Sequence, residues 1–338
     1  MKVLYAIQGT GNGHLSRAKH IIPILERKNI ELDLLVSGIQ ADIQIPYEIK
    51  YRFKGLSFIF GKKGGVDVWK TYLKANTKRI QNEIKSLPVQ NYDLVINDFE
   101  PISAWACKLA QVPCISFSHQ AAVLSSKVPK PKKKDLLGRF ILQKYAPASK
   151  QFGLHFQSFD ETIFTPIIRS DIRNATVENG KHYTVYLPSY SDKKIMKFLS
   201  KIEQVTWQVF SKHNKTAVIA KNVSIQPITN KDFVKSMASS MGVLCGAGFE
   251  TPAEALFLKK KLLVIPMKGQ YEQQCNAAAL KQMGVPVLKA LKLKHLDKVK
   301  KWVNTNERIA VDYPEITEEI IDLLLSPYSI TSPKDCAV

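Results

Sequence analysis

The sequence predicts an α/β protein built as two doubly wound, parallel-sheet domains facing each other across a cleft. Three observations predict it. Short β-branched or apolar runs alternate with segments of helical periodicity, the rhythm of parallel strands joined by crossover helices. That rhythm breaks once, at 125–146, where basic and apolar residues mix around two prolines, and then resumes. The length, 338 residues, exceeds one ordinary core and suits two domains of about 150 residues each.

The elements follow in order. Residues 2–8 read as a strand and 14–27 as a helix, with Leu15, Ala18, Ile22 and Leu25 along one face. A strand at 31–37, a helix at 66–86, a strand at 92–97, a helix at 101–110 and a strand at 113–117 complete the first unit. The second unit carries strands at 184–187, 205–210, 216–220, 242–245 and 262–266. Its helices are placed at 192–201, 230–240, about 250–258 and 271–283, and a last helix covers about 315–325. The expected division is 1–160, 161–314 and a C-terminal helix and tail, 315–338.

Hydrophobic residues make up 45% of the chain, enough for two cores. No apolar run reaches the ~20 residues that span a bilayer. The first residues enter a strand-like run, Val3–Ile7, with no small-residue cleavage site, so a cytoplasmic location is expected. Cys107, Cys114, Cys245, Cys275 and Cys336 are scattered without CxxC pairs, which argues for reduced thiols over disulfides or zinc. The net charge of +20 favours polyanionic partners: nucleic acid, anionic lipid or phosphorylated substrates. No signature of a nucleic-acid-binding module is present, and nucleic acid is not expected as a partner.

Two glycine-rich turns carry the chemistry. Gly9-Thr10-Gly11-Asn12-Gly13-His14 follows the first strand and opens a helix. Glycines there allow close approach of a ligand to the backbone, and the helix start favours negative charge. The spacing is GxGxG rather than GxGxxG, and Asp33 lies inside the second strand, so a dinucleotide fingerprint is not matched. His14 falls in the first turn of that helix, at a carboxyl strand end, where a neutral imidazole can accept a proton. The second turn, Cys245-Gly246-Ala247-Gly248-Phe249-Glu250-Thr251-Pro252-Ala253-Glu254-Ala255, also follows a strand and opens a helix. Amides at 248–251 and the Thr251 hydroxyl suit a diphosphate. Glu254 suits two vicinal hydroxyls. Gln270-Tyr271-Glu272-Gln273-Gln274-Cys275-Asn276-Ala277, past the next strand, gathers amides and an acid that suit sugar hydroxyls.

The stretch 246–277 resembles the donor-site signature of GT-B glycosyltransferases, carried here by Gly248, Thr251, Glu254-Ala255, Pro266, Glu272-Gln273 and Asn276-Ala277. The first turn resembles the glycine loop with histidine of MurG-type N-acetylglucosaminyltransferases and related UDP-glycosyltransferases. The resemblance implies two Rossmann-like domains in the GT-B arrangement, a UDP-sugar as co-substrate without further cofactor, and direct displacement with inversion. By it Glu254 would bind ribose. Gly248, Phe249 and Thr251 at the helix start would hold phosphates, with Ser189 in the 187–191 turn contributing. Glu272 and Gln273 would contact the transferred sugar. Gly246 stands where many relatives carry a basic or imidazole residue, which leaves the charge partner of the phosphates open.

For the reaction, His14 is the expected base and Asp98 its orienting acid. Glu100 is a rival for the acid and His119 for the base. Gly11, Asn12, Gly13 and His119 form the acceptor-side loops. No DxD pair stands in a suitable position, so no metal is expected. Lys127-Val128-Pro129-Lys130-Pro131-Lys132-Lys133-Lys134, followed by Leu136–Leu142, joins a lysine cluster to an apolar stretch. This predicts contact with an anionic membrane surface and a lipid-linked or cell-envelope acceptor, with the protein peripheral at the inner face of the cytoplasmic membrane. Lys259-Lys260-Lys261 is expected at a helix C-terminus. The alternatives are a UDP-sugar 2-epimerase on the same fold and a non-catalytic nucleotide-sugar-binding protein.

Overall fold

The computed structural model describes residues 1–38, 45–56, 60–61, 65–66 and 77–329. Among the described residues, nine strands belong to the first half: β1 (Lys2–Gln8), β2 (Glu31–Ser37), β3 (Tyr51–Phe53), β4 (Phe60–Gly61), β5 (Gly65–Val66), β6 (Leu94–Asp98), β7 (Cys114–Ser118), β8 (Lys150–Leu154) and β9 (Ile163–Phe164). Seven of them form one sheet in the order β3-β2-β1-β6-β7-β8-β9, and every pairing is parallel. The central strands are continuous apolar runs because helices cover both faces. β4 and β5 form a separate antiparallel pair.

The second half holds β10 (His182–Tyr186), β11 (Thr206–Ser211), β12 (Val218–Ala220), β13 (Val223–Pro227), β14 (Gly242–Gly246) and β15 (Lys261–Ile265). Their order is β12-β13-β11-β10-β14-β15, parallel except at the β12 edge. Two doubly wound sheets in one chain agree with the sequence-based expectation.

In each sheet the strand order reverses beside the first strand, and that fixes where a ligand can sit. In the first sheet β1 lies between β2 and β6, with Ile7 paired to Asp98. In the second, β10 lies between β11 and β14, with Tyr186 paired to Cys245. Crevices at the carboxyl ends of such neighbours are the binding positions of open α/β sheets. The helix Thr317–Leu325 packs back on the first half: Ile320, Ile321 and Leu324 share a buried cluster with Leu15, Ala18 and Ile22 of the helix Asn12–Glu26. Lys28 pairs with Glu318 and Asp322, each at 2.8 Å.

Several details differ from expectation. Of the helix placed at 66–86, Thr77–Ser86 is observed, Val66 pairs with Phe60 instead, and 67–76 lie outside the described residues. β3, β8, β9 and β13 carry too few residues or too mixed a pattern to be read from periodicity. The broken stretch 125–146 contains a helix, Leu136–Tyr145, capped by Asp135. Cys107, Cys114, Cys245 and Cys275 are free and buried, and Cys336 lies outside the described residues.

The three lysines at 259–261 are the clearest correction. Lys259 is exposed in a left-handed conformation, φ 55°, after its helix. Lys260 and Lys261 are buried. Lys260 Nζ donates to the carbonyls of Glu178 and Ser240. Lys261 Nζ donates to the Tyr183 hydroxyl at 2.6 Å and to the carbonyls of Val303 and Thr305 at 2.8 and 2.6 Å. Lys261 therefore does serve a helix C-terminus, but that of Leu296–Asn304 rather than its own. Lys261→Met removes the ammonium donor from the Thr305 carbonyl and leaves the Val303 carbonyl with the Tyr183 hydroxyl alone; it should cost about 1–3 kcal/mol, read as a lower urea midpoint with the slope unchanged.

Candidate active site

The turn after β1 and the start of the helix Glu250–Phe257 meet across one cavity of about 270 Å³. Gly11, Gly13, His14 and His119 line it from the first half, and Gly248, Phe249, Glu272 and Gln273 from the second. The two glycine-rich turns thus share one crevice, although 230 residues separate them in sequence. Glycine permits the approach: a Cβ on Gly13 would lie 3.1 Å from Glu250 Cγ, while one on Gly248 would meet only open space.

Asp98 stands behind His14. Its carboxylate is fully buried, and Oδ1 lies 2.8 Å from His14 Nδ1. An ionised carboxylate only accepts, so Nδ1 carries the proton and Nε2 keeps its lone pair. Arg17, one turn along the helix from His14, donates through Nη2 to both Asp98 oxygens at 2.7 and 2.8 Å. Its Nη1 pairs with Glu250 of the second half. Burial opposes ionisation of Asp98, but Arg17 and then His14 hold its pKa below the usual carboxylate value. Burial pushes Glu250 up to about 7, against the pull of Arg17 and aided by Glu254.

Both rival assignments fail on geometry. Glu100 caps the helix Pro101–Ala110: its carboxylate accepts from the amides of Ile102 and Ser103 at 2.7 and 2.6 Å and from the Ser37 hydroxyl at 2.6 Å. Burial raises its pKa, and it has no contact with His14. His119 is buried with both nitrogens engaged. Nδ1 donates to the Leu154 carbonyl at 2.7 Å, and Nε2 lies 2.7 Å from Asn276 Oδ1. Its ring stacks on Phe249 at 4.0 Å. It joins the two halves instead of presenting a free base.

The remaining expected residues divide by position. Asn12 begins the helix Asn12–Glu26. Gln273 Oε1 accepts from the Met267 amide at 2.8 Å, and Glu272 accepts from Gln120 across the cleft at 3.1 Å. Gly246 ends β14, and Ser189 follows β10 at the same sheet edge. Thr251 lies in the first turn of the helix Glu250–Phe257, whose start has no side-chain cap. Gly246, Ser189, Thr251 and Glu254 do not line the cavity. Glu254 is buried one turn further in, where Arg169 grips both oxygens, at 2.6 Å through Nε and 3.2 Å through Nη2.

Arg17, Glu250, Phe99 and Gln120 are cavity residues that sequence reasoning missed. Arg17 was detectable, since it falls at i+3 from His14 and shares its helix face. Phe99 takes φ 57°, uncommon for a bulky residue. Among the described residues, Thr10 Oγ1, Arg17 Nε, Gln120 Oε1 and Gln270 Oε1 are buried without a partner, and all four belong to cavity-lining residues. Buried polar atoms of this kind cost free energy unless something meets them.

Two Rossmann-like domains with their carboxyl strand edges turned to one crevice make up the arrangement of the GT-B fold. The family model described as glycosyl transferase family 1 matches residues 1–305, and the chain belongs to that family. Solved structures agree on the fold. MurG of Acinetobacter baumannii superposes with a TM-score of 0.59 at 14% identity, covering 96% of this chain and 100% of its own. The S. aureus MnaA-UDP co-structure gives 0.63 at 12%, covering 98% and 97%. Phytolacca americana UGT2, complexed with UDP-2fluoro-glucose and pterostilbene, gives 0.59 at 14%, covering 98% and 95%. No curated protein matches the sequence significantly.

His155, beside His119 at 5.2 Å between ring centroids, gives a test of this packing. It is fully buried, and its Nδ1 accepts from the Phe156 amide at 2.9 Å. Burial holds its pKa well below the usual imidazole value. The unfolded chain therefore binds this proton first as pH falls, and the stability His155 contributes, complete above about 6.5, declines below it. Urea unfolding between pH 7.5 and 5 should show this slope, and His155→Leu should flatten it.

Proposed function

We propose that the chain transfers a sugar from a UDP-sugar to an acceptor hydroxyl with inversion at the anomeric carbon. One observation carries this reading: the His14–Asp98 pair faces the uncapped start of the helix Glu250–Phe257 across one shared cavity. His14 Nε2 takes the proton as the acceptor oxygen bonds to the anomeric carbon. The bond from that carbon to the β-phosphate oxygen breaks, and UDP leaves with the electron pair. Asp98 holds the tautomer and balances the imidazolium. Amides at 248–251 meet the diphosphate charge, so the reading needs no metal. Ser189 at the same sheet edge and Thr251 in that first turn are further phosphate contacts.

Glu254 keeps the ribose role in this reading, since Arg169 takes one lone pair from each of its oxygens and leaves the others free. Glu272, Gln273 and the unpartnered amide oxygens of Gln120 and Gln270 suit the hydroxyls of the sugar. Uridine is supported by similar folds solved with UDP or a UDP-sugar.

The acceptor is proposed to be presented at an anionic membrane surface. The helix Leu136–Tyr145 exposes Leu136, Leu137 and Phe140 by 74%, 51% and 57%. Lys132, Lys133, Lys134 and Arg139 are exposed around them, and each contributes about 1 kcal/mol near anionic lipid. Lys127 pairs with Asp160 at 3.5 Å, and Lys130 Nζ donates to the carbonyls of Val123 and Ser125, so neither belongs to that face. Among the described residues no helix is long and apolar enough to cross a membrane.

The test is UDP release from a panel of UDP-sugars with membrane lipid extract. His14→Ala should lower kcat about 10²–10⁴-fold, with thermal unfolding as the control for folding, and activity should survive EDTA. Interconversion of sugars without net UDP release would instead identify an epimerase. In co-sedimentation, vesicles with anionic lipid should retain the protein and neutral vesicles should not. Leu137→Glu with Phe140→Glu should abolish retention.

A further inference from the structure

Arg17 has no part in the chemistry described above, yet both its terminal nitrogens are engaged deep in the cleft. It is 1% exposed and sits at the meeting point of three elements. Nη2 bonds both oxygens of Asp98 on β6 and lies 3.2 Å from His14 Nδ1 on its own helix. Nη1 pairs with Glu250, the first residue of the donor helix in the other domain. A guanidinium offers two parallel edges in a fixed plane, which a lysine cannot reproduce.

We infer that Arg17 is a positioning residue through which Glu250 of the donor domain sets how well Asp98 supports a charged His14. Charge counting gives the reason. Above about pH 7, where Glu250 is ionised, Asp98 and Glu250 carry two negative charges against one on Arg17, so with His14 neutral the cluster holds a net −1. When His14 takes the acceptor proton, that charge is cancelled inside the low-dielectric cleft. With Glu250 removed, Arg17 alone neutralises Asp98, and an imidazolium beside them is resisted. With Arg17 removed, Asp98 faces the imidazole unopposed. Phe99, His119 and Glu272 line the same cavity as His14; Tyr5, kept uncharged by burial, stands beside Asp98, Arg17 and Glu250, and Glu254, paired with Arg169, acts on Glu250 from its own helix. The base is therefore armed fully only while the donor domain holds Glu250 against Arg17.

This rests on the transferase reading for its meaning, but its test does not. The His14 imidazole is titrated by NMR in the full chain labelled with ¹³C-histidine, with His14→Gln for assignment. Glu250→Gln should move its midpoint to lower pH and Arg17→Gln to higher pH, each by about one pH unit. In UDP-release assays the acid limb of kcat/KM should move the same two ways. Arg17→Lys should lose about tenfold to a hundredfold in kcat with the Kd for UDP within twofold by calorimetry. Unmoved midpoints, or shifts in the same direction for both variants, overturn the inference. So does a loss of UDP affinity as large as the loss of rate, which would make Arg17 a phosphate ligand. Should Arg17→Gln fail to fold, the Glu250→Gln midpoint decides alone. A wild-type chain that releases UDP from no donor overturns the transferase reading and leaves the NMR result to judge this one.

Discussion

The carboxylate of Asp98 is fully buried at the end of a central strand, and much of the cleft follows from that. An ionised group in such a place is tolerable only with a cation and hydrogen bonds close by. Here both come from one helix face, His14 and Arg17, so the helix after β1 must lie over the end of β6. Two residues on, Glu100 is equally buried but turned to the helix start it caps. Phe99, between two carboxylates fixed in different directions, takes the left-handed backbone at φ 57°. Its ring stacks on Tyr145 at 4.6 Å. Strain at such a position is tolerated where the surroundings over-determine it, and the surroundings here are two buried acids with complete partner sets.

The second consequence is that the two domains are joined by polar contacts at the cleft. Arg17 meets Glu250, His119 meets Asn276 and stacks on Phe249, and Gln120 meets Glu272. Such contacts are directional, and each can be exchanged for a ligand hydroxyl or phosphate with little net change in hydrogen bonding. Apolar packing joins the domains beside them, where Phe99, Leu142 and Tyr145 cluster with Tyr271 and Cys275, but it offers a sugar nucleotide nothing to bond.

What the sequence made legible follows from which signals are local. Strand–glycine–helix junctions are written in adjacent residues, so both turns, His14 and the donor loop were readable, and the parallel order of the sheets followed from alternation. Asp98 was placed correctly at a strand end, but choosing it over Glu100 depended on which acid caps a helix, a matter of one rotamer. The role of Arg17 lay in a partner 233 residues away, and Glu254 hid its ion pair with Arg169 in the same manner. Lys260 and Lys261 misled because a lysine run normally marks a solvated helix end. Here β15 starts inside the fold, and the ammonium groups meet carbonyls of other segments. Periodicity records which face is apolar, and it is silent on which buried polar atoms find each other.

The basic segment shows how one helix can belong to a surface and to a site together. Leu142 and Tyr145 point inward, into a cluster with Phe99, Tyr271 and Cys275. Gly138 makes that packing possible: a Cβ there would lie 2.7 Å from Tyr271 Cβ. Tyr271 opens the helix that carries Glu272 and Gln273, and Tyr145 bonds Gln8 at the end of β1 at 2.7 Å. The exposed leucines and Phe140 are thus fixed to an element that packs on the cavity residues Phe99 and Gln8. Under the membrane reading proposed above, a loop of the same composition would present lysines to the bilayer equally well, but it would set no distance between that bilayer and His14. A packed helix sets one, and a fixed distance is what an acceptor anchored in a bilayer requires, since reaction demands its hydroxyl within contact range of both the base and the anomeric carbon.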